Sequence, residues 1–177
     1  MDFDIFNIPE SEIKLIGGTS HIYGFPTNKG MKKLNEEIIN VQQKFKIESI
    51  YGIDLGCGDG KVIDFFNKNQ SNSNWEGIEL SETRIDQSIY KNDNNIISGN
   101  LLDLNYSSYN FIYSNNVCFE DELCDKLENK ILQEFSGYFI FLKKITNYEL
   151  YRKAHLIKDY IFETNWNKKQ PFYFYKI

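Results

Sequence analysis

The sequence contains few of the residues that bind structural metal ions. Its 3 cysteines, Cys57, Cys118 and Cys124, form no Cys-x-x-Cys pair, and its 2 histidines are His21 and His155. A structural zinc site needs four such ligands, so this pattern argues against a metal site. Unpaired cysteines also suit a reducing compartment, in which thiols stay free.

Long apolar runs and an excess of positive charge are absent as well. No apolar run approaches the roughly 20 residues that a transmembrane helix needs. The acidic start Met1-Asp2-Phe3-Asp4 lacks the basic and apolar regions of a signal peptide. We therefore expect an intracellular protein without a membrane partner. The net charge of −5 argues against strong direct binding of nucleic acid, and it suits a basic protein substrate or a small molecule.

The composition is typical of a folded protein. With 41% hydrophobic and 16% aromatic residues in 177 residues, the chain can bury one core but is short for two. We expect a single domain over 1–177, which divides into an N-terminal segment with a helix (1–46) and a core (47–177).

Apolar runs typical of buried strands alternate with helical stretches along the chain. Helical spacing is clear over 28–46, 62–68 and 120–134, and Ser81 is placed to cap a further helix that includes Arg84, Ile85 and Ile89. Strands are predicted over 49–55, 75–80, 95–98, 109–114 and 137–143, followed by an antiparallel pair over 156–164 and 171–177. This alternation predicts an α/β fold with a Rossmann-like, doubly wound sheet of about seven strands and a terminal antiparallel hairpin.

A glycine-rich stretch follows the first predicted strand. Gly56, Gly58 and Gly60 form a G-x-G-x-G run, which is neither the dinucleotide fingerprint nor a P-loop, and Asp54 precedes it. Glycines let the backbone approach a ligand closely at the carboxyl ends of the strands. Glu79 ends the next strand, where its carboxylate can accept hydrogen bonds from both hydroxyls of a ribose. Asp54 can bind an ammonium group through a charge-assisted hydrogen bond.

These residues resemble a known family of enzymes. D-L-G-C-G-D-G over 54–60 and G-I-E-L over 77–80 are similar to the first two motifs of class I S-adenosylmethionine-dependent methyltransferases. The resemblance implies that fold, with S-adenosyl-L-methionine as the cofactor. It places in the cofactor site Asp54, Gly56, Cys57, Gly58, Glu79, Leu80, Asn100 and Leu101. The adenine amino group would bond to Asn100 or, in its place, to Asp103, with Leu101 against the adenine face.

A finer resemblance concerns the substrate side. The sequence 112–119 (I-Y-S-N-N-V-C-F), the Tyr23-Gly24-Phe25 loop and the segment from Trp166 to Tyr175 are similar to parts of the disruptor-of-telomeric-silencing family, the non-SET histone-lysine methyltransferases. The resemblance implies methyl transfer to a protein lysine, with histone among the candidate substrates. Its catalytic residues would be Asn115, Asn116, Tyr23, Trp166 and Tyr173, and Tyr23 and Asn115 would also contact the cofactor.

Other interpretations remain open at this stage. The basic nucleosome-binding extension of that family is missing, and Phe25-Pro26-Thr27 is similar to a motif of another lysine-methylating group. A nucleic-acid base or a small-molecule amine is the alternative methyl acceptor. Phe172 to Tyr175 can equally alternate across a strand and pack in the core. A binding module without catalysis is a third possibility, against which the intact Asp54, glycines and Glu79 argue.

Overall fold

The computed structural model of the protein describes residues 6–92 and 95–177. In this part of the chain the α-helices are α1 (Glu10–Ile16), α2 (Asn28–Lys44), α3 (Lys61–Asn69), α4 (Glu82–Gln87), α5 (Asp121–Glu134) and α6 (Tyr148–Lys153). The strands are β1 (Ile50–Leu55), β2 (Ser73–Glu79), β3 (Ile96–Ser98), β4 (Phe111–Ser114), β5 (Tyr138–Phe141), β6 (His155–Phe162) and β7 (Gln170–Lys176). None of the described helices is both long enough and apolar enough to cross a membrane.

All seven strands form one sheet in the order β3-β2-β1-β4-β5-β7-β6. The pairs from β3 through β5 are parallel, and β7 is antiparallel to both of its neighbours. The strand order reverses between β1 and β4, so the carboxyl ends of these two strands frame a crevice of the kind in which doubly wound folds bind ligands. The predicted fold class and the terminal antiparallel hairpin are confirmed.

The helices confirm the longer predictions and correct the shorter ones. Thr27 caps α2 by accepting a hydrogen bond from the Gly30 amide, and Ser81 caps α4 by accepting one from the Arg84 amide. The prediction that Ile89 lies in α4 is wrong, because that helix ends at Gln87 and Ile89 is 80% exposed. Helices α1 and α6 were not predicted. They are 7 and 6 residues long, too short to show an amphipathic repeat.

Two apolar layers cover the sheet, one on each face. Helices α2 and α3 supply one layer, and α5 and α6 supply the other. The terminal aromatic run shows the alternation clearly. Phe172 and Phe174 pack in the first layer, while Tyr173 and Tyr175 pack in the second. Successive side chains of a strand point to opposite faces, so these aromatic residues serve the core of the sheet.

Helix α2 packs very close to the chain that follows β6. A Cβ atom added at Gly30 would collide with the backbone carbonyl oxygen of Glu163. The same carbonyl accepts a hydrogen bond of 3.0 Å from the Thr27 amide, so the helix is fixed at this distance. Glycine at position 30 therefore lets the amino end of α2 dock against the end of the sheet.

We predict that Gly30→Ala lowers the free energy of unfolding by about 1–3 kcal/mol, the usual cost of overpacking. Helix propensity alone would have the opposite effect, because alanine stabilises an isolated helix by up to about 1 kcal/mol relative to glycine. A lower free energy of unfolding therefore indicates overpacking, and a higher one indicates helix propensity. Urea denaturation measures it. Lys29→Ala, on the neighbouring exposed residue, is the control and should stay within about 0.5 kcal/mol of the wild type. A stabilised Gly30→Ala protein would contradict this packing argument.

Candidate functional site

The glycine loop leaves the sheet at the point where the strand order reverses. Gly56, Gly58 and Gly60 have φ angles of 78°, 59° and 80°, a left-handed conformation that residues with a Cβ atom rarely adopt. The amides of Gly56 and Cys57 both donate to the Ile78 carbonyl, at 2.9 and 3.0 Å. The loop is thereby folded against the end of β2.

Glu79 links the glycine loop to the start of α4. Its carboxylate accepts hydrogen bonds of 2.9 Å from the Gly58 and Ser81 amides, and Arg84 Nη1 lies 3.5 Å from its Oε1 atom. A carboxylate offers about four lone-pair sites, so these contacts leave about one site for a ligand. The prediction that Glu79 accepts both ribose hydroxyls therefore requires the Arg84 contact to give way.

Tyr23 covers the glycine loop from the N-terminal side. Its hydroxyl donates a 2.6 Å hydrogen bond to Asp59, and its ring centroid lies 5.2 Å from the Arg84 guanidinium carbon. A Cβ atom at Gly58 would collide with the Tyr23 ring. Burial and the neighbouring Asp59 raise the pKa of Tyr23, so the phenol stays protonated. Tyr23 thus joins the predicted site as a neutral cover for the loop.

Asp54 is buried at the end of β1, close to two other carboxylates. Burial, and then the negative charges of Glu79 and Asp59, raise the pKa of Asp54 well above its ordinary value. A positive charge placed beside these groups would reverse the effect by stabilising the carboxylate form. The three neighbouring carboxyl groups of Asp54, Asp59 and Glu79 therefore favour the binding of a cation.

Two cavities lie along the carboxyl edge of the sheet. The larger, of about 140 Å³, is lined by Leu15, Ile16, Ser20, Ile22, Tyr23, Gly24, Gly56, Ile78, Glu79, Leu80, Arg84, Gly99, Asn100, Leu101, Asn115, Cys118, Phe119 and Leu123. The smaller, of about 20 Å³, is lined by Tyr23, Gly24, Phe25, Pro26, Asp54, Gly56, Cys57, Asp59, Lys61, Val62, Tyr113 and Asn115. Tyr23, Gly24, Gly56 and Asn115 border both cavities, which makes the two cavities neighbours.

The residues predicted to contact the adenine reach the larger cavity in part. Asn100 and Leu101 line it, and the side-chain oxygen of Asn100 accepts a hydrogen bond of 2.9 Å from the Leu102 amide. Asp103 lies instead in an open surface depression beside Lys130 and Glu134. Of the two residues considered for the adenine amino group, the structure brings only Asn100 to the cavity.

The two asparagines after β4 have different environments. Asn115 donates a 2.8 Å hydrogen bond to the Gly24 carbonyl, while its Oδ1 atom is buried and has no hydrogen-bond partner among the described residues. Asn116 is 1% exposed, and its Oδ1 atom accepts from the amides of Leu142 and Lys143 at 2.9 and 3.0 Å. Asn116 therefore joins the end of β5 to the loop, and it lines neither cavity.

The C-terminal aromatic residues are only partly brought to the site. The Trp166 ring packs on Gly24, where an added Cβ atom would lie 2.5 Å from it, and its Nε1 donates to Gln170 at 3.3 Å. Trp166 thus supports the chain that holds Asn115, and it borders neither cavity. Tyr173 packs on the sheet face opposite to Phe172 and Phe174, with its ring centroid 5.5 Å from the Lys144 Nζ atom. It lines neither cavity, so the structure does not place it in the predicted site.

The N-terminal segment supplies lining residues that the sequence interpretation missed. Leu15, Ile16, Ser20 and Ile22 close the larger cavity from outside. Glu12 of α1 fixes the segment, since it accepts 2.6 Å hydrogen bonds from the hydroxyls of two residues at the start of α4, Ser81 and Thr83. The only local signal for α1 is the Pro9-Glu10-Ser11-Glu12 run, which is typical of a helix start.

We predict that Asp54→Asn stabilises the ligand-free protein at pH 7. A raised pKa means that the folded protein binds a proton more tightly than the unfolded chain, so stability falls as pH rises from about 4, the reference pKa of aspartate. Asparagine carries no charge, and its advantage should shrink as the pH is lowered to 4. Urea denaturation at several pH values measures this. An advantage that is independent of pH would contradict the electrostatic explanation.

Comparison with known proteins finds solved structures with a similar fold. No protein-family model and no curated protein matches the sequence. Magnesium protoporphyrin IX methyltransferase (ChlM) from Synechocystis PCC 6803, solved with bound S-adenosylmethionine, matches with a TM-score of 0.57 and 12% identity, over 83% of this chain and 79% of that one. An S-adenosylmethionine-dependent methyltransferase from Clostridium acetobutylicum ATCC 824 matches with a TM-score of 0.57 and 11% identity, over 83% and 92%.

A third solved structure of similar fold is also a methyltransferase. The plantazolicin methyltransferase BpumL, in complex with a triazolic desmethylPZN analog and S-adenosylhomocysteine, matches with a TM-score of 0.51 and 18% identity, over 70% of this chain and 55% of that one. At such identities the similarity concerns the fold. The seven-stranded mixed sheet of this protein is the fold of class I S-adenosylmethionine-dependent methyltransferases.

Proposed function

We propose that the protein is an S-adenosylmethionine-dependent methyltransferase. The observation that carries the proposal is the glycine loop at the switch point, with a buried carboxylate on each side of it, Asp54 at the end of β1 and Glu79 at the end of β2. Solved proteins of the same fold contain S-adenosylmethionine or S-adenosylhomocysteine. At Gly56, Gly58 and Gly60 the loop has no side chains of its own, which lets its backbone come into van der Waals contact with a nucleoside.

Each part of the methyl donor has a matching group in this chain. Glu79 accepts from the ribose, and Leu80, Asn100 and Leu101 surround the adenine in the larger cavity. Asp54 faces the positively charged amino group of the methionine part. S-adenosylmethionine itself supplies a reactive methyl group on sulfur. The protein contributes mainly alignment, which brings donor and acceptor to about 3 Å and lowers the entropy cost of the reaction.

The closed N-terminal segment limits access to this site. A cavity of about 140 Å³ is smaller than the roughly 300 Å³ at which ligand pockets begin. The cavity therefore has to widen when the donor enters, and Leu15, Ile16 and Ile22 are its lining residues from the N-terminal segment. Helix α1 has no buried residue, so its displacement costs little apolar contact.

Glu79→Ala should weaken the binding of S-adenosylhomocysteine by about 1–3 kcal/mol, the cost of losing a hydrogen bond to a charged group. Isothermal titration calorimetry measures the affinity. Glu76→Ala, on the same strand but away from the cavities, is the matched control and should bind like the wild type. Circular dichroism must show that both variants are folded. Equal affinity in folded Glu79→Ala protein would remove Glu79 from the donor site.

For the acceptor, the finer proposal is an amine nitrogen, specifically that of a protein lysine. Its support is Asn115, whose buried Oδ1 atom has no hydrogen-bond partner in the described part of the chain and can accept a hydrogen bond from an amine at the border of the two cavities. Tyr23 and Phe25 provide aromatic surroundings, which favour the neutral, nucleophilic form of an amine by desolvation. An amine of a nucleic-acid base or a small molecule would use the same oxygen and stays the alternative.

Asn115→Ala should lower turnover by far more than it lowers donor affinity, because its contact to the amine matters at the reacting centre. Steady-state rates and calorimetry on the same samples separate the two effects. Asn74→Ala is the control, since Asn74 is an exposed asparagine on β2 outside both cavities. A parallel loss of donor affinity and turnover would mean that Asn115 serves the donor instead.

The acceptor class is tested by incubating the protein with donor labelled in the methyl group and with core histones, nucleosomes, total protein or RNA. Label on a lysine side chain, located by mass spectrometry, supports the lysine proposal. Label on RNA, on a metabolite or on another side chain contradicts it and leaves the methyltransferase proposal standing. Absence of donor binding by calorimetry would contradict the methyltransferase proposal itself.

A further inference from the structure

Tyr113 lines the smaller cavity and carries a buried hydroxyl group for which the packing of the core gives no reason. Tyr113 is 1% exposed, yet its hydroxyl has no hydrogen-bond partner among the described residues. Phenylalanine at this position would fill the same space without the cost of burying an unpaired polar group, which is about 1–3 kcal/mol. Such groups are rare in folded proteins, and each of them calls for an explanation.

The sheet register places Tyr113 beside Asp54. The two residues are Cα partners in the parallel pair of β1 and β4, so their side chains leave the sheet on the same face. The Tyr113 ring packs edge-on against Phe66, with 6.2 Å between the two ring centroids. Both side chains line the smaller cavity, and the Asp54 charge acts on the Tyr113 phenol.

The size and charge of the cavity restrict what can occupy it. About 20 Å³ is room for one group of the size of a water molecule, which is also the size of an ammonium group. The cavity offers the Asp54 carboxylate and the Tyr113 oxygen as acceptors. Lys61 also lines it, with its Nζ atom 4.2 Å from the Phe25 ring centroid, and can meet a negative group nearby. The paired acceptors suit the single ammonium group of an amino acid in this volume, and the Lys61 cation beside it suits the carboxylate.

We propose that Tyr113 and Asp54 together bind the α-ammonium group of the methyl donor's amino-acid part in the smaller cavity. This inference rests on the proposed function. The ammonium group donates one hydrogen bond to the carboxylate of Asp54 and another to the phenol oxygen of Tyr113. Among the described residues the Tyr113 hydroxyl has no hydrogen-bond partner, so it gains one only when the donor is bound. The bound donor then offsets the free-energy cost of burying this hydroxyl. Tyr113 is thereby a determinant of specificity for donors that carry an amino-acid group.

The test compares two ligands that differ in that group. S-adenosylhomocysteine contains the amino-acid part, whereas 5′-methylthioadenosine retains the nucleoside and the sulfur and lacks it. Tyr113→Phe should weaken S-adenosylhomocysteine by about tenfold or more, as for a lost hydrogen bond to a charged group, and leave 5′-methylthioadenosine unchanged. Asp54→Asn should show the same selectivity. The melting temperature of Tyr113→Phe should not fall, because the substitution removes only an unpaired hydroxyl.

Tyr109→Phe is the matched control, since Tyr109 precedes β4 and its hydroxyl bonds to Glu76 at 2.8 Å, outside the smaller cavity. It should bind both ligands like the wild type. Unchanged affinity of Tyr113→Phe for S-adenosylhomocysteine, or an equal loss for both ligands, would overturn the inference. If the wild type binds neither ligand, the proposed function fails before Tyr113 is tested, so the two failures are distinguishable.

Discussion

The Glu79 carboxylate joins the three segments that meet at the candidate site. It receives the Gly58 amide from the glycine loop and the Ser81 amide from the start of α4, and it pairs with Arg84 within that helix. Arg84 in turn lies over the Tyr23 ring and donates to the His21 carbonyl, which brings in the N-terminal segment. Because a buried carboxylate is costly without partners, the fold positions these segments around it. A ligand that bonds to Glu79 therefore acts on all three segments at once.

The same corner of the molecule shows how binding and stability oppose each other. Asp54 is buried near Asp59 and Glu79, and the Tyr113 hydroxyl is buried without a partner in the described part of the chain. Each of these groups would be replaced if stability alone mattered. Sites that bind ligands commonly retain such costs, because the ligand supplies the missing charge or hydrogen bond. The proposed donor, with its ammonium group, supplies both.

The acceptor side is organised by contacts through the backbone. Trp166 packs on Gly24, and the Gly24 carbonyl accepts a hydrogen bond from the side-chain amide of Asn115, so Asn115 is held at the border of the two cavities. The Phe25 amide bonds to Asn165 at 2.9 Å, so the loop after β6 and the Tyr23-Gly24-Phe25 loop form one unit. A substitution at Trp166 would then act on the proposed reaction through the position of Asn115. This chain of contacts connects the antiparallel end of the sheet to the site.

The sequence by itself determined the fold class, the long helices, the position of the glycine loop and the two carboxylates beside it. These features depend on local signals, namely hydrophobic periodicity, glycine spacing and short-range capping, which a single sequence displays. It did not reveal α1, whose place over the cavity depends on the contact of Glu12 with α4, 69 residues away. Only the tertiary structure showed that Asn115 lines the cavities whereas Asn116 and Tyr173 do not. It also paired Tyr113 with Asp54, because strand register decides which side chains of distant segments become neighbours.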